Sequence, residues 1–325
     1  MFGVIVSTID MRCLFTFFCL LFAVSTAGAE PRVRTFDFGY EAVFEGLTPG
    51  AEARMWAPLP QSNVVQRVSR LRMSPPLKAK LASDNHGNRL LYMSGKVPKR
   101  GILKLRVEAL VERREWSGAA SGPEELELYL KPTRLVPVSG EVEKLLEGEV
   151  LPEDRYGSAR KLYDVVLAHM SYDKSREGYG RGDTLWACSS GTGNCTDFHS
   201  LFLSLARFSG IPARFEIGYP LPAGEESGKI PGYHCWASFW NGEGWVPVDI
   251  SEADKHPEKV EYFFGNLDPD RVTLSAGRDL VFEPEQASGP LNFFVKPLLE
   301  VEGRKVESAE MKVFFGPPKP VRRRR

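Results

Sequence analysis

Hydrophobic and polar positions alternate along much of the first third of the chain. Residues 33–44 (VRTFDFGYEAVF) alternate in part, and residues 102–116 (ILKLRVEALVERREW) alternate over a longer run. A period of two is typical of strands that bury one face. Turn-forming segments rich in proline and glycine separate these runs. The pattern therefore predicts a β-sandwich-like N-terminal domain of antiparallel strands over residues 30–137.

A helical period replaces this alternation in the middle of the chain. In residues 159–172 (ARKLYDVVLAHMSY) the apolar positions fall near one face, which predicts a helix with a cap at Gly157-Ser158. The polar, glycine-rich residues 173–193 are expected to form a loop.

A stronger helix is predicted to begin at Cys195. Asn194 suits the N-cap, and Asp197, three residues later, suits the acid of a capping box. The apolar stripe at i, i+3, i+4 and i+7 consists of Phe198, Leu201, Phe202 and Leu205. The sequence Gly210-Ile211-Pro212 is typical of a helix end.

Strands are predicted again after this helix. They are ARFEIGYPL (213–221), YHCWASFW (233–240) and GWVPVDIS (244–251), with a hairpin turn at residues 241–244. The predicted fold class is α+β. A core over residues 138–265 packs a helix on an antiparallel sheet, and a short β-rich region over residues 266–318 follows it.

The two ends of the chain carry different signals. Residues 1–29 contain Arg12, a short apolar run and Ala27-Gly28-Ala29, which is typical of a cleaved secretory signal peptide. The alternative is an uncleaved anchor, but the run is shorter than the ~20 residues that span a bilayer. We expect an exported, periplasmic or extracellular protein without stable membrane insertion. The basic residues 319–325 are expected to form a disordered tail.

Composition narrows the class of protein. Lysine and arginine number 42 and aspartate and glutamate number 42, so the net charge is zero and no nucleic-acid partner is expected. After removal of a signal peptide three cysteines would remain, Cys188, Cys195 and Cys235. An odd count in an exported protein leaves at least one free thiol or an intermolecular bond.

The position of Cys195 favours a nucleophile. The first turn of a helix presents unpaired N–H groups and the positive end of the dipole, and both stabilise a thiolate. The Cys195 N–H can also face an oxyanion. His234 and Asp249 lie at symmetric offsets from the turn at residues 241–244, so a hairpin places them opposite or diagonal to each other. A base oriented by a carboxylate completes such a nucleophile.

Other arrangements of these residues stay open at this point. A zinc site has the right residue types, but their spacing matches no known finger or ribbon pattern. It would use Cys188, Cys195, His199, His234 and Cys235. A disulfide between Cys188 and Cys235 and a redox bond between Cys188 and Cys195 are further alternatives.

Residues 158–252 resemble the transglutaminase-like superfamily. The motifs that carry the resemblance are GNCTDFHSLFLSLARFSGIPARFEIGY, YHCWASFW and WVPVDIS, in that order. The resemblance implies a papain-like core in which Cys195 is the nucleophile, His234 the base and Asp249 the orienting carboxylate. Cys235 departs from the family, which usually has alanine or another small residue there.

Further residues are expected at the substrate cleft, and these are Trp186, Asn194, His199 and Trp236. Trp186 is included because upstream tryptophans often line the acyl-binding cleft in this family. Trp236 shares the face of His234 and is expected to pack against the imidazole.

The resemblance implies an exported enzyme that acts on amide bonds of peptides or proteins through a thioester. Water would complete a protease or amidase reaction, and an amine would complete a transglutaminase reaction. No metal or cofactor is expected, and no calcium loop is recognised. The alternative is a non-enzymatic cell-envelope binding module on the same scaffold. The substrate and the oligomeric state are left open.

Overall fold

The computed structural model of the chain describes residues 31–122, 125–138, 140–307 and 309–320. The predicted signal peptide, residues 1–29, and residues 321–325 of the predicted basic tail lie outside the described residues. Among the helices of the described part, none has the length and apolar character needed to cross a bilayer.

Strands dominate the described residues. In chain order they are β1 (Val33–Phe44), β2 (Glu52–Pro58), β3 (Gln66–Ser74), β4 (Lys78–Asp84), β5 (Arg89–Lys96), β6 (Leu103–Arg114), β7 (Trp116–Ser117), β8 (Ser171–Tyr172), β9 (Thr192–Gly193), β10 (Ala213–Pro220), β11 (Gly228–Lys229), β12 (His234–Trp240), β13 (Trp245–Val248), β14 (Asn266–Leu267), β15 (Arg271–Ala276), β16 (Phe282–Glu283), β17 (Leu298–Val301), β18 (Arg304–Val306) and β19 (Glu310–Gly316). The α-helices are α1 (Arg155–His169), α2 (Thr184–Ser190), α3 (Cys195–Phe208) and α4 (Ile250–Lys255). Short 3-10 helices occupy Leu126–Tyr129, Gly140–Leu146 and Pro257–Lys259.

Two antiparallel sheets combine strands from both ends of the chain. One has the order β11-β19-β1-β6-β3, and the other has the order β16-β4-β5-β2-β17-β18. β1 pairs with β6 along its whole length. β6 buries every second residue, which confirms the strand predicted from the alternation in this segment.

The C-terminal strands complete the sheets of the N-terminal region. β19 pairs with β1, and β17 pairs with β2. The described residues, from Pro31 onward, form one compact unit. The three-part division at residues 137 and 265 stays a prediction, and the structure adds that its first and last parts share both sheets.

A third antiparallel sheet, β13-β12-β10-β15, carries the candidate site. α3 packs on β12 and β10, and the predicted α+β class with a helix on an antiparallel sheet is confirmed. The β12–β13 hairpin turns where the sequence predicts, because Asn241 Oδ1 accepts hydrogen bonds of 2.9 Å from the N–H groups of Glu243 and Gly244. His234 and Asp249 thereby come to the same end of the sheet.

The helix predicted over residues 159–172 begins earlier than expected. α1 starts at Arg155, and its N-cap is Asp154. Oδ1 of Asp154 accepts a hydrogen bond of 2.7 Å from the Gly157 N–H. The expected cap at Gly157-Ser158 is therefore wrong, since an aspartate three residues earlier satisfies the first turn.

The loop expected over residues 173–193 is also partly wrong, because it contains α2. Asp183 caps this helix by accepting a hydrogen bond of 3.1 Å from the Leu185 N–H, and Gly191 ends it at φ 64°. α2 has seven residues, too few to show a period of its own, and it packs on α3. Tertiary packing stabilises helices of this length.

Candidate active site

Cys195 is the first residue of α3, and local capping holds it there. Asn194 Oδ1 accepts a hydrogen bond of 2.8 Å from the Thr196 N–H, and Asp197 Oδ2 accepts one of 2.9 Å from the Asn194 N–H. These two bonds belong to the capping box predicted from the sequence. Only 3% of the Cys195 surface is exposed. Its sulfur therefore sits at the positive end of a buried helix.

Asp197 also anchors a glycine-rich loop beside the start of α3. Its two carboxylate oxygens accept hydrogen bonds from the N–H groups of Gly180, at 2.7 Å, and Gly182, at 2.9 Å. A side chain at position 193 would clash with this carboxylate, because a Cβ on Gly193 would lie 2.5 Å from the Asp197 Cβ. The role of Asp197 is thus wider than the helix cap that the sequence suggested.

The structure brings Cys195, His234 and Asp249 together. His234 is the first residue of β12, and its Nε2 lies 2.7 Å from Asp249 Oδ2. Its side chain also forms a hydrogen bond with Cys195. Since Nε2 is occupied by Asp249, the nitrogen available to the sulfur is Nδ1. Asp249 caps α4, and its Oδ1 accepts a hydrogen bond of 3.2 Å from the Glu252 N–H.

Arg271 lies behind Asp249, and sequence reasoning missed it. Its Nη1 donates a hydrogen bond of 2.9 Å to Asp249 Oδ2, and its Nη2 donates one of 2.8 Å to Asp268 Oδ2. Its guanidinium lies 5.0 Å from the centre of the Trp236 ring. Arg271 is the first residue of β15 and is buried. No local motif marks it, because β15 joins the sheet from outside the segments that resemble the family.

The charges of this cluster support one another. The hydrogen bond from Cys235 and the contact with His234 lower the pKa of the Cys195 thiol far below its usual value, although burial opposes the change. Burial alone would lower the pKa of His234, but Asp249 and Cys195 raise it to about 10. Burial alone would raise the pKa of Asp249, but His234 and Arg271 lower it. The arrangement therefore favours a thiolate next to an imidazolium.

His199 connects the nucleophile to the segment that carries the carboxylate. Its Nδ1 lies 2.7 Å from the carbonyl oxygen of Cys195, and its Nε2 accepts a hydrogen bond of 3.2 Å from the Ile250 N–H. This requires a neutral ring with the proton on Nδ1, and burial lowers the pKa of His199 in agreement. The side chain is fully buried. Backbone groups occupy both ring nitrogens, so His199 is a buried, hydrogen-bonding histidine beside the site, and its place at the substrate cleft stays a prediction.

Cys235 lies against the site. Strand alternation places Cys235 on the face of β12 that packs on α3, and its Sγ is 3.6 Å from His199 Nδ1. It also forms a side-chain hydrogen bond with Cys195. Alternation alone separates Cys235 from His234, but both lie at the end of the strand that meets the start of α3. Two thiols thus contact each other at the candidate nucleophile.

The two tryptophans expected at the cleft occupy different positions. Trp236 is fully buried, and the guanidinium groups of Arg271 and Arg113 both lie against its ring, the second at 5.7 Å from the ring centre. It forms a wall behind His234, with 6.2 Å between the ring centres, and does not line an open cleft. Trp186 lies on α2, half-buried, with its indole nitrogen next to Gly178.

Asn194 combines capping with a contact to the residue before His234. Its amide nitrogen packs against Gly180, where a Cβ would lie 2.8 Å away, and its side chain forms a hydrogen bond with Tyr233. Asn194 is buried. It therefore positions the start of α3 and is not placed to contact substrate over a large area.

A cleft of 610 Å³ reaches His234 from one side. Its lining is rich in charged and polar side chains, among them Glu252, His256, Lys259, Asp268, Asp270 and Arg271. The Glu252 Oε1 lies 3.8 Å from His234 Nε2. This cleft lies beside His234 on the side of Glu252, and Cys195 is not among the residues that line it.

The three described cysteines are free thiols. Cys188 is half-buried on α2, and its Sγ contacts the carbonyl oxygen of Glu141 at 3.8 Å, whereas Cys235 lies against Cys195. The structure therefore shows no disulfide between Cys188 and Cys235. Within the described ranges no group of three or more His, Cys, Asp or Glu residues is arranged to hold a metal ion, so the zinc alternative has no support there.

Comparison with known proteins connects this geometry to a family. The model of the transglutaminase-like superfamily matches residues 146–250. An uncharacterized protein of Haemophilus influenzae is 28% identical over 314 residues, which cover 81% of this chain and 84% of that protein. A crystal structure of a candidate cysteine protease from Cytophaga hutchinsonii shares the fold, with a TM-score of 0.57 at 14% identity. That likeness covers 87% of this chain and 98% of the other.

The matched segment contains α1, α2, α3 and the β12–β13 hairpin, and it ends at the first residue of α4. These are the elements that bring Cys195, His234 and Asp249 together. Residues 146–250 are therefore a transglutaminase-like domain, the part of the chain that the superfamily model matches.

Proposed function

We propose that this protein is an exported cysteine enzyme that acts on amide bonds of peptides or proteins through a thioester. The observation that carries the proposal is the contact of Cys195 with His234 while His234 Nε2 lies 2.7 Å from Asp249. A nucleophile, a base and an orienting carboxylate in hydrogen-bonding sequence define this type of site. Export is proposed from the signal-peptide pattern of residues 1–29.

In the first half-reaction the Cys195 thiolate attacks the carbonyl carbon of the scissile amide. The oxyanion that forms is stabilised by the Cys195 N–H, which has no acceptor within its helix, and by the positive end of α3. His234 donates its proton to the leaving amine, and the carbon–nitrogen bond breaks. Asp249 keeps Nε2 of the ring engaged, so Nδ1 stays directed at the sulfur.

In the second half-reaction neutral His234 takes a proton from the acceptor as the acceptor attacks the thioester. The carbon–sulfur bond breaks, and the Cys195 thiolate leaves. Water gives a free acid, and a primary amine gives a new amide. The cleft beside His234 is lined mainly by charged and polar side chains. Such a lining is hydrated, and this supports hydrolysis, that is protease or amidase activity, over amine transfer.

The experiment is intact-mass analysis of the protein with an amide-directed activity probe, with and without a primary-amine acceptor. We expect a covalent adduct on Cys195, and its release by water or by the amine separates hydrolysis from transfer. The Cys195→Ala variant should form no adduct. The Cys188→Ala variant is the matched control, and it should react as the wild type does because Cys188 lies away from His234 on α2.

Labelling and turnover that persist in Cys195→Ala would contradict the proposal. A Cys195 thiol that titrates near 8.5, the usual value for cysteine, and that ignores removal of His234 would favour the non-enzymatic binding module instead.

A further inference from the structure

Cys235 is a buried thiol that the proposed mechanism does not use. It follows His234 directly and is fully buried. Its Sγ lies 3.6 Å from His199 Nδ1, and that nitrogen lies 2.7 Å from the carbonyl oxygen of Cys195. The packing of α3 on β12 therefore brings a second sulfur to the candidate nucleophile.

The two thiols differ in protonation. A side-chain hydrogen bond joins them, and it is the main cause that lowers the pKa of Cys195. Burial, followed by that same bond, raises the pKa of Cys235. Cys235 is thus the proton donor and Cys195 the thiolate. A low-pKa thiolate beside a second cysteine is the arrangement found at redox-sensitive sites.

We propose that Cys195 and Cys235 form a site of reversible oxidation, in which a hydroperoxide oxidises Cys195 and Cys235 closes an intramolecular disulfide. This oxidation proposal shares one premise with the proposed function, namely that Cys195 is a reactive thiolate, and it rests on the proposed function in no other way.

The first step is attack of the Cys195 thiolate on the peroxide. A sulfur–oxygen bond forms, the oxygen–oxygen bond breaks, and Cys195 becomes a sulfenic acid. The peroxide is reduced to an alcohol, or to water when it is hydrogen peroxide, and the departing oxygen takes a proton from His234.

The second step is attack of the Cys235 sulfur on the Cys195 sulfur. A sulfur–sulfur bond forms, the sulfur–oxygen bond breaks, and the oxygen leaves as water with the proton of Cys235. In total two thiols and one hydroperoxide give one disulfide, one water and one alcohol.

The position of the two cysteines suits this bond. Cys195 is the first residue of α3, and Cys235 is the second residue of β12. Their side chains already contact each other, and a disulfide joins two sulfurs at ~2.05 Å. Cys188 is not the expected partner, because its sulfur contacts the carbonyl oxygen of Glu141, whereas Cys235 contacts Cys195.

The disulfide would remove the thiolate and stop further oxidation. Without a second thiol, a sulfenic acid proceeds to sulfinic and sulfonic acids, which are not readily reversed. With Cys235 present the nucleophile is stored as a disulfide and returned by a thiol reductant. An exported protein meets oxidising surroundings, where such protection is useful.

The test exposes the full chain to hydrogen peroxide and maps its cysteine peptides by mass spectrometry, before and after dithiothreitol. In the wild type we expect a cross-linked peptide pair containing Cys195 and Cys235, with the loss of two hydrogen atoms. Iodoacetamide labelling of Cys195 should disappear and return fully after reduction. Cys188→Ala should behave in the same way.

The Cys235→Ala and Cys235→Ser variants should lose the reversibility. In both, Cys195 should gain two or three oxygen atoms, and dithiothreitol should not restore labelling. The proposal is overturned if wild-type Cys195 gains those oxygen atoms as fast as in the variants and the cross-linked pair does not form. The wild-type peptide map needs neither a variant nor turnover. A Cys195–Cys235 disulfide in a protein without amidase activity would therefore refute the proposed function and leave the oxidation proposal standing.

Discussion

Arg271 donates a hydrogen bond of 2.9 Å to Asp249 Oδ2, the carboxylate oxygen that also lies 2.7 Å from His234 Nε2. The other terminal nitrogen of the guanidinium, Nη2, donates a hydrogen bond to Asp268 Oδ2. A buried carboxylate stays ionised when cations face it. Arg271 is therefore a positioning residue, which acts on the imidazole through Asp249.

Replacing Arg271 by glutamine should leave Asp249 buried without its main fixed cation. Removing one partner of a buried ion pair costs roughly 3–5 kcal/mol of unfolding free energy. The pKa of Asp249 should also rise, so the acid limb of activity should move to higher pH. Urea unfolding and the pH profile of kcat/KM measure the two effects.

Arg34→Gln is the matched control for that variant. Arg34 pairs with Asp270 at a partly exposed position, and loss of such a pair costs about 0–1 kcal/mol. Its pH profile should follow the wild type. An Arg271→Gln profile with the wild-type acid limb would show that the arginine serves stability alone.

The pH dependence of Cys195 alkylation should reveal the ion pair. The pKa of the thiol is lowered, so the thiolate exists above that lowered value, and iodoacetamide should label the wild type well below pH 8.5. Without the imidazolium, His234→Ala should require a higher pH than the wild type, although the hydrogen bond from Cys235 still lowers the pKa of the thiol. A quenched-labelling assay gives the rate of iodoacetamide labelling as a function of pH for the wild type and for His234→Ala.

At high pH, amide turnover should fall while iodoacetamide labelling of Cys195 should not. The pKa of His234 is raised to about 10, so the imidazolium is present below that pH and is lost above it. Amide cleavage should therefore fall as the pH rises through about 10, while alkylation of the thiolate continues. Turnover that holds constant through this range would contradict the role of His234 as proton donor.

His199 should contribute stability that depends on pH. Its folded pKa is lowered by burial, so the unfolded chain binds a proton more readily than the folded chain. Its contribution is fully present above the unfolded value of ~6.5 and declines as the pH falls below it. The measurement is the unfolding free energy of the wild type and of His199→Gln at pH 7.5 and pH 5, which lie roughly one unit or more on either side of ~6.5. The free energy should depend less on pH in the variant than in the wild type.

The same variant should lose stability at neutral pH. Glutamine cannot reach both the Cys195 carbonyl and the Ile250 N–H, and a buried polar group without a partner costs about 1–3 kcal/mol. The half-buried histidine of α1 provides the comparison in His169→Gln, since its ring makes one bond, of 2.7 Å, to the Cys188 carbonyl. Equal losses in the two variants would argue against a special bridge at His199.

Gly193→Ala should destabilise the start of α3. The new Cβ would lie 2.5 Å from the Asp197 Cβ, and overpacking of this kind costs about 1–3 kcal/mol. The displaced carboxylate would also release Gly180 and Gly182, so the labelling rate of Cys195 should fall. Gly232→Ala is the control, because a Cβ there has no atom within 4 Å.

Thermal and urea unfolding check the two glycine variants, with iodoacetamide labelling as the second measurement. Gly232→Ala should stay within about 0.5 kcal/mol of the wild type. A Gly193→Ala protein with wild-type stability and labelling would show that the Asp197 anchor tolerates the added methyl group.

Local sequence determined the parts of the site that depend on neighbours along the chain. The capping box of Asn194 and Asp197, the apolar stripe of α3 and the hairpin at residues 241–244 rest on short-range hydrogen bonds and periodicity. Such patterns can be identified in the sequence without knowledge of the fold. Hence the place of Cys195 at the start of α3 and the pairing of His234 with Asp249 could be predicted from local sequence, and the family resemblance implied that the three meet.

Tertiary structure alone decided which distant groups complete the site. Arg271 reaches Asp249 because β15 pairs with β10, and Cys235 reaches Cys195 because α3 packs on β12. α2 exists because α3 supports it, and β19 lies beside β1 at the other end of the chain. These contacts depend on long-range strand pairing and burial, whose energies come from partners that no local pattern identifies.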